Sequence, residues 1–120
     1  MLLTRDQILS AESTMPSEIV PVPEWGGDVK VVGMTGAERD AFEEGRQKKD
    51  SGGKPKANLT NIRAAIVAAS LRDEQGKLLF TTSDVMALGI KSAKALDRVA
   101  SVAMKLNGMT QEDVEQLEKN

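Results

Sequence analysis

The chain has no histidine, no cysteine and no tyrosine. The commonest general base, the commonest metal ligand and the best thiol nucleophile are therefore all missing. No Ser/His or Cys/His pair can be assembled for nucleophilic catalysis. A zinc site would have to be made of carboxylates alone, against the usual preference for nitrogen and sulfur ligands. Only carboxylates, lysines, serines and threonines remain to do chemistry. The expectation is a protein that binds rather than catalyses, with no metal and no cofactor. A disulfide framework is excluded, which fits a reducing compartment. No run approaches the ~18 consecutive apolar residues that span a membrane. The start, Met1-Leu2-Leu3-Thr4-Arg5-Asp6, lacks the basic-then-apolar order of a secretory signal, so the expected location is the cytoplasm.

What is present is an ordinary globular inventory. The 120 residues are 40% hydrophobic and 28% charged, enough for one domain with a modest core. The net charge of −2 is unevenly spread: residues 1–45 carry 9 acids and 3 bases, and residues 46–105 carry 5 acids and 12 bases. The basic middle raises a nucleic-acid reading in which Arg63, Lys91, Lys94, Arg98 and Lys105 would meet phosphates. Against it, Phe80 is the one aromatic in that stretch, and single-strand binders supply several stacking faces. A solvated helical surface is the plainer account of the same charges.

The local signals predict an α+β fold, mostly helical, with an N-terminal β-hairpin packed on a small helical bundle. Thr4 is a candidate N-cap for a short opening helix. Residues 18–32 read as the hairpin, with β-branched runs on either side of Gly26-Gly27. Pro21 and Pro23 cannot donate ladder hydrogen bonds, so the first strand belongs at an edge. Thr35 and Glu38 have capping-box spacing and open a helix over 35–44, in which Phe42 is the one large apolar residue. Residues 45–57 are basic and Gly-rich and are expected to form a flexible linker. The helical part is expected over 58–120. It begins with a core helix carrying Leu59, Ile62, Ile66 and Ala69 at helical spacing. Leu78-Leu79-Phe80 could add a small strand. Thr81 with Asp84, Ser92, and Thr110 with Asp113 are further caps, the last opening a short helix with Val114 and Leu117.

The order of these signatures is distinctive. Pro23-Glu24-Trp25-Gly26-Gly27 is followed by Gly33-Met34-Thr35-Gly36-Ala37-Glu38-Arg39-Asp40-Ala41-Phe42. Then come Asp73-Glu74-Gln75-Gly76-Lys77-Leu78-Leu79-Phe80-Thr81, Asp84-Val85 with Leu88-Gly89, and Lys91-Ser92 before Ala95-Leu96-Asp97-Arg98. The series resembles the tail assembly chaperones of bacteriophages with long, non-contractile tails. That resemblance implies a protein that acts in virion morphogenesis, in the cytoplasm of the infected host, and is left out of the mature virion. It implies binding to the tape measure protein, whose hydrophobic helices it keeps soluble, and recruitment of the tail tube protein. No catalytic residues come with the family. A minor structural virion protein is the alternative of a different class, as is the nucleic-acid module above.

A chaperone needs an adaptable apolar surface, and methionine supplies one. Met86, Met104 and Met109 lie in the C-terminal helical region, where they could equally fill gaps in a core. With Leu96, Val99 and Leu106 they form the candidate partner-binding set, and a groove between helices 82–88 and 92–107 would hold a client helix. Trp25 is a further candidate, as a lid over the contact that the hairpin needs. The open edge of strand 18–23 could pair two copies into a homo-oligomer. The resemblance also implies, for many such phages, a longer product made by ribosomal frameshifting. Glu118-Lys119-Asn120 can be encoded GAA-AAA-AAC, which contains the slippery heptamer A-AAA-AAC in the phase of a −1 shift. The gene is expected to carry that heptamer over an overlapping −1 frame. Codons that avoid it would remove the expectation.

Overall fold

The computed structural model describes residues 1–11, 15–49, 51–53, 55–57 and 61–109. The chain opens with helix α1 (Arg5–Ser10), then strands β1 (Ser17–Val22) and β2 (Gly27–Val32) joined by a 3-10 turn at Pro23–Trp25. Helix α2 (Gly36–Gly45), strands β3 (Gln47–Lys49) and β4 (Pro55–Ala57), helix α3 (Ile62–Ser70) and strand β5 (Leu71–Arg72) follow. A 3-10 turn at Thr82–Asp84 leads into α4 (Val85–Gly89) and α5 (Ala93–Leu106). The fold is α+β, with the hairpin at the N-terminal side as the sequence predicts.

The hairpin register places Val20 opposite Val29 and Val22 opposite Gly27. Strand periodicity then sends Val20 and Val22 inward while Ile19 and Pro21 face out. Gly26 makes the turn possible: its φ of 80° lies in the left-handed region that side chains with a Cβ avoid. The strand order is β1-β2-β5, so Pro21 sits on an edge strand, where its missing N–H leaves no central ladder bond unmade. The third strand is Leu71–Arg72, antiparallel to β2 with Leu71 opposite Val31. Leu78 adds only an isolated bridge to Arg72, so 78–80 is not the strand that its apolar character suggested.

Helix α3 is the centre of the core. Ala64, Ala65, Ile66, Val67, Ala68 and Ser70 are all buried, so the helix is covered nearly all round. Three alanines let neighbouring backbones come close, and Ile66 and Val67 fill the space between. Helix α5 packs along α3 and across β1 and β2, burying Ala95, Leu96, Val99, Ala100 and Ala103. Val20, Val22 and Val31 of the sheet and Leu88 of α4 complete the same cluster. At the end of α4 only glycine fits beside Asn61: a Cβ at Gly89 would stand 2.8 Å from Asn61 Oδ1. Asn61 in turn holds the left-handed conformation (φ 56°) just before α3. Asn58–Thr60, where the core helix was expected to begin, and Thr110–Leu117, expected as a last helix, lie outside the described residues.

Four expected caps are made, one of them by Ser92, whose hydroxyl accepts the Ala95 N–H at 3.3 Å. The Thr4 and Thr35 side chains each accept the backbone N–H three residues on, and Gln7 and Glu38 reach back to the cap N–H groups. At Thr81 the Asp84 carboxylate accepts the cap N–H at 2.9 Å, while the Asp84 N–H donates to the Thr81 carbonyl at 3.0 Å. The stretch 45–57, expected as a linker, carries instead an antiparallel ladder in which Gln47 opposes Ala57 and Lys49 opposes Pro55. Gly53, at φ 80°, supplies the reversal, and ladder bonds use backbone groups that a polar composition does not remove.

Glu24 and Arg98 tie the hairpin turn to α5. Arg98 donates two parallel bonds to the Glu24 carboxylate, at 2.6 and 2.9 Å. These bonds, with the Glu24 backbone N–H next in weight, pull the carboxyl from its ordinary 4.5 to about 2. A depressed carboxylate stabilises the fold above its unfolded pKa and loses that contribution as pH falls through the folded one. The pair is therefore expected to weaken between pH 4.5 and about 2. In an NMR titration Glu24 should titrate near 2 in the parent and return toward an ordinary carboxylate value in Arg98→Ala. An unchanged midpoint would contradict the assignment.

Leu71, 1% exposed, joins α3 to the sheet. Leu71→Ala should cost about 2–5 kcal/mol in urea denaturation followed by Trp25 fluorescence. Leu79→Ala, at an exposed position, should stay within about 0.5 kcal/mol.

Candidate functional site

The first turn of α2 is fixed at several points by groups far away in sequence. The Met34 N–H donates to Asn107 Oδ1 at 2.7 Å, and the Arg39 guanidinium donates to the Asn107 carbonyl at 3.1 Å. Asn107 itself is oriented by donating from Nδ2 to the Ala103 carbonyl at 2.7 Å. On the other side Glu38 forms an ion pair with Arg72 of β5. The Thr35 backbone N–H holds the Glu38 carboxyl below the ordinary carboxylate range, and the Arg72 bond adds to this against partial desolvation. One helix is thus hung between the end of α5 and the edge of the sheet.

Behind this suspended helix lies a small methionine cluster. Met34 and Met109 are buried against each other, with Phe42, Ile62, Ala69 and Met104 packed around them. Gly108, at φ 65°, turns the chain so that Met109 folds back under α2, and the Met109 N–H returns to the Met104 carbonyl. The cluster is separate from the α3 core but shares Phe42, Ile62 and Met104 with it.

In front of the cluster an open groove of about 430 Å³ runs between α2, α3 and the segment 78–85. Met34, Ala41 and Phe42 form one wall; Ala65, Ala68 and Ala69 form the floor; Leu78, Phe80 and Val85 form the other wall. Glu38, Arg46, Thr81 and Thr82 supply its polar edge. Small residues below and larger apolar ones at the sides make a slot for an apolar side chain or a helix ridge. Methionines behind the wall give it room to adjust, because their side chains are flexible and polarizable.

The predicted site residues divide between this groove and the core. Leu96 (5% exposed) and Val99 (fully buried) stand in the main core cluster rather than on an open surface. Leu106 and Trp25 are half-buried against the same core. Met109 is buried and Met104 half-buried, both behind the groove that does exist. Met86 stands in solvent on α4, next to Val85 of the groove wall. Met34, Ala41, Phe42, Leu78 and Phe80 were not in the predicted set. The signal for two of them was present: Ala41 and Phe42 form the apolar spot of an otherwise polar helix.

Of the five cations considered for phosphate contact, Arg63 is paired with Asp97 and Arg98 with Glu24. Among the described residues no helix is long and apolar enough to cross a membrane, and no three acidic side chains gather as a metal site would require. Comparison with curated proteins and with solved structures gives no match. Comparison with family models gives one that spans nearly all of the sequence, residues 3–120. By that match, the chain belongs to the phage tail assembly chaperones.

Proposed function

We propose that this chaperone acts by seating an amphipathic helix of the tape measure protein in the groove between α2, α3 and residues 78–85. The observation that carries the reading is the groove's composition: an apolar slot backed by methionines, on a member of a tail assembly family. A long tape measure helix exposes apolar stripes before the tube closes around it, and covering them keeps it soluble. In this reading the protein works without catalysis, in the cytoplasm of the infected host. It helps bring tail tube subunits to the covered tape measure and stays out of the finished virion.

Asp at Met104 or Leu106, both half-buried packing positions, would disturb the fold as well as the surface. Ala41 and Leu78 are exposed groove positions. Ala41→Asp and Leu78→Asp should each weaken capture of a co-expressed tape measure fragment about tenfold or more, the ratio that roughly 1.4 kcal/mol produces. Lys94→Ala, on the surface of α5, should leave capture unchanged. Equal capture by all three variants, with parent-like circular dichroism, would reject the groove as the client site. Mass spectrometry of purified virions should find no copies of the chain; stoichiometric copies would favour a structural virion protein instead.

A further inference from the structure

Helix α2 stands beside an apolar strip without lying down on it. None of its residues is buried, and Ala65, Ala68 and Ala69 of α3 remain as the open floor of the groove. The hydrophobic effect is non-directional and favours covering such a strip. Phe42, on the α2 wall of the same groove, is the large apolar group that could cover it. Something directional therefore holds the helix off. Three polar ties do so, and all of them attach between Met34 and Arg39, at the N-terminal end of α2. Arg72 makes one, to Glu38, and both of those side chains are partly exposed. Asn107 makes the other two.

Asn107 is well placed to fix a distance. Its Oδ1 accepts from the Met34 N–H at 2.7 Å, and its carbonyl accepts from Arg39 at 3.1 Å. The side chain is kept from turning because Nδ2 donates to the Ala103 carbonyl at 2.7 Å. Ala103 is fully buried on α5, so Asn107 is anchored to the core while it reaches for α2. Accepting on one side while donating on the other is what a primary amide offers. We propose that Asn107 is the positioning residue of the client groove. It holds α2 off the alanine strip; without its side-chain acceptor Phe42 settles onto Ala65, Ala68 and Ala69, and the slot narrows. The inference deepens the client reading and rests on it only where capture is concerned. The position of α2 can be read with no client present.

The test follows the width of the slot in the full chain. Glu44 and Leu79 are exposed, belong to the two walls, and do not line the slot. The chain has no cysteine, so Glu44→Cys/Leu79→Cys introduces the only thiols for a pair of nitroxide labels. Electron paramagnetic resonance should give a shorter label separation in Asn107→Leu, which keeps the bulk and removes the acceptor, than in the parent. Asn107→Asp keeps an acceptor for Met34 and should hold the parent separation. Val22→Ala opens a cavity in the main core and leaves the Asn107 bonds in place, so it should hold that separation too. Capture of the co-expressed tape measure fragment should fall about tenfold in Asn107→Leu, the ratio that a net hydrogen-bond contribution of roughly 1.4 kcal/mol produces. Asn107→Asp should restore it. A separation that is unchanged or longer in Asn107→Leu, or equally short in Asn107→Asp or Val22→Ala, would overturn the proposal. A narrowed slot with undiminished capture would uphold the role of Asn107 and reject the groove as the client site, so the two readings fail separately.

Discussion

Burial of α3 on almost every side is the constraint from which the other arrangements follow. An amphipathic helix can lie on a surface, but one with five consecutive buried residues, Ala64 to Ala68, must be wrapped. The sheet takes one side through Val31 and Leu71, α5 takes another through Val99 and Ala103, and α4 closes a third through Leu88. The small side chains of α3 set how near these neighbours come. With α5 drawn in so tightly, its apolar stripe is spent on the core. What remains open is the strip of α3 carrying Ala65, Ala68 and Ala69 toward α2.

Helix α2 does not close over that strip because polar ties hold it to one side. Its N-terminal end is fixed by Asn107 and by Arg72, and its one large apolar residue, Phe42, leans on the methionine cluster. Hydrogen bonds and an ion pair position the helix, and soft sulfur side chains support it from behind. This division suits a surface that must keep its place while its depth adjusts. Directional bonds set where α2 sits, and the non-directional packing behind it is the softer part of the arrangement.

Local signals were legible to the extent that their physics is local. Thr4, Thr35, Thr81 and Ser92 were readable as caps because a cap is a contact over three residues. The hairpin and the edge position of its first strand followed from Val, Gly and Pro alone. The third strand was harder: Leu71–Arg72 is two residues long, and nothing in so short a segment distinguishes it from the end of a helix. The 47–57 ladder was missed because its composition is polar and its bonds are backbone bonds. The groove beside α2 was not legible for a different reason. Met104, Met109, Leu96 and Val99 share one helical region, and periodicity says which face they form but not what covers it. The bond from Met34 to Asn107 spans 73 positions, and no pattern in the chain announces it.

The sheet has one further consequence, at its two margins. One edge strand carries a proline, and the other ends after two residues. A protein that keeps an apolar slot open is at risk of growing on itself, and unpaired strand edges are the usual template for that growth. Here neither edge offers a long uninterrupted row of backbone donors. Pro21 and the brevity of β5 thus shorten the rows of backbone groups on which self-templated stacking would build.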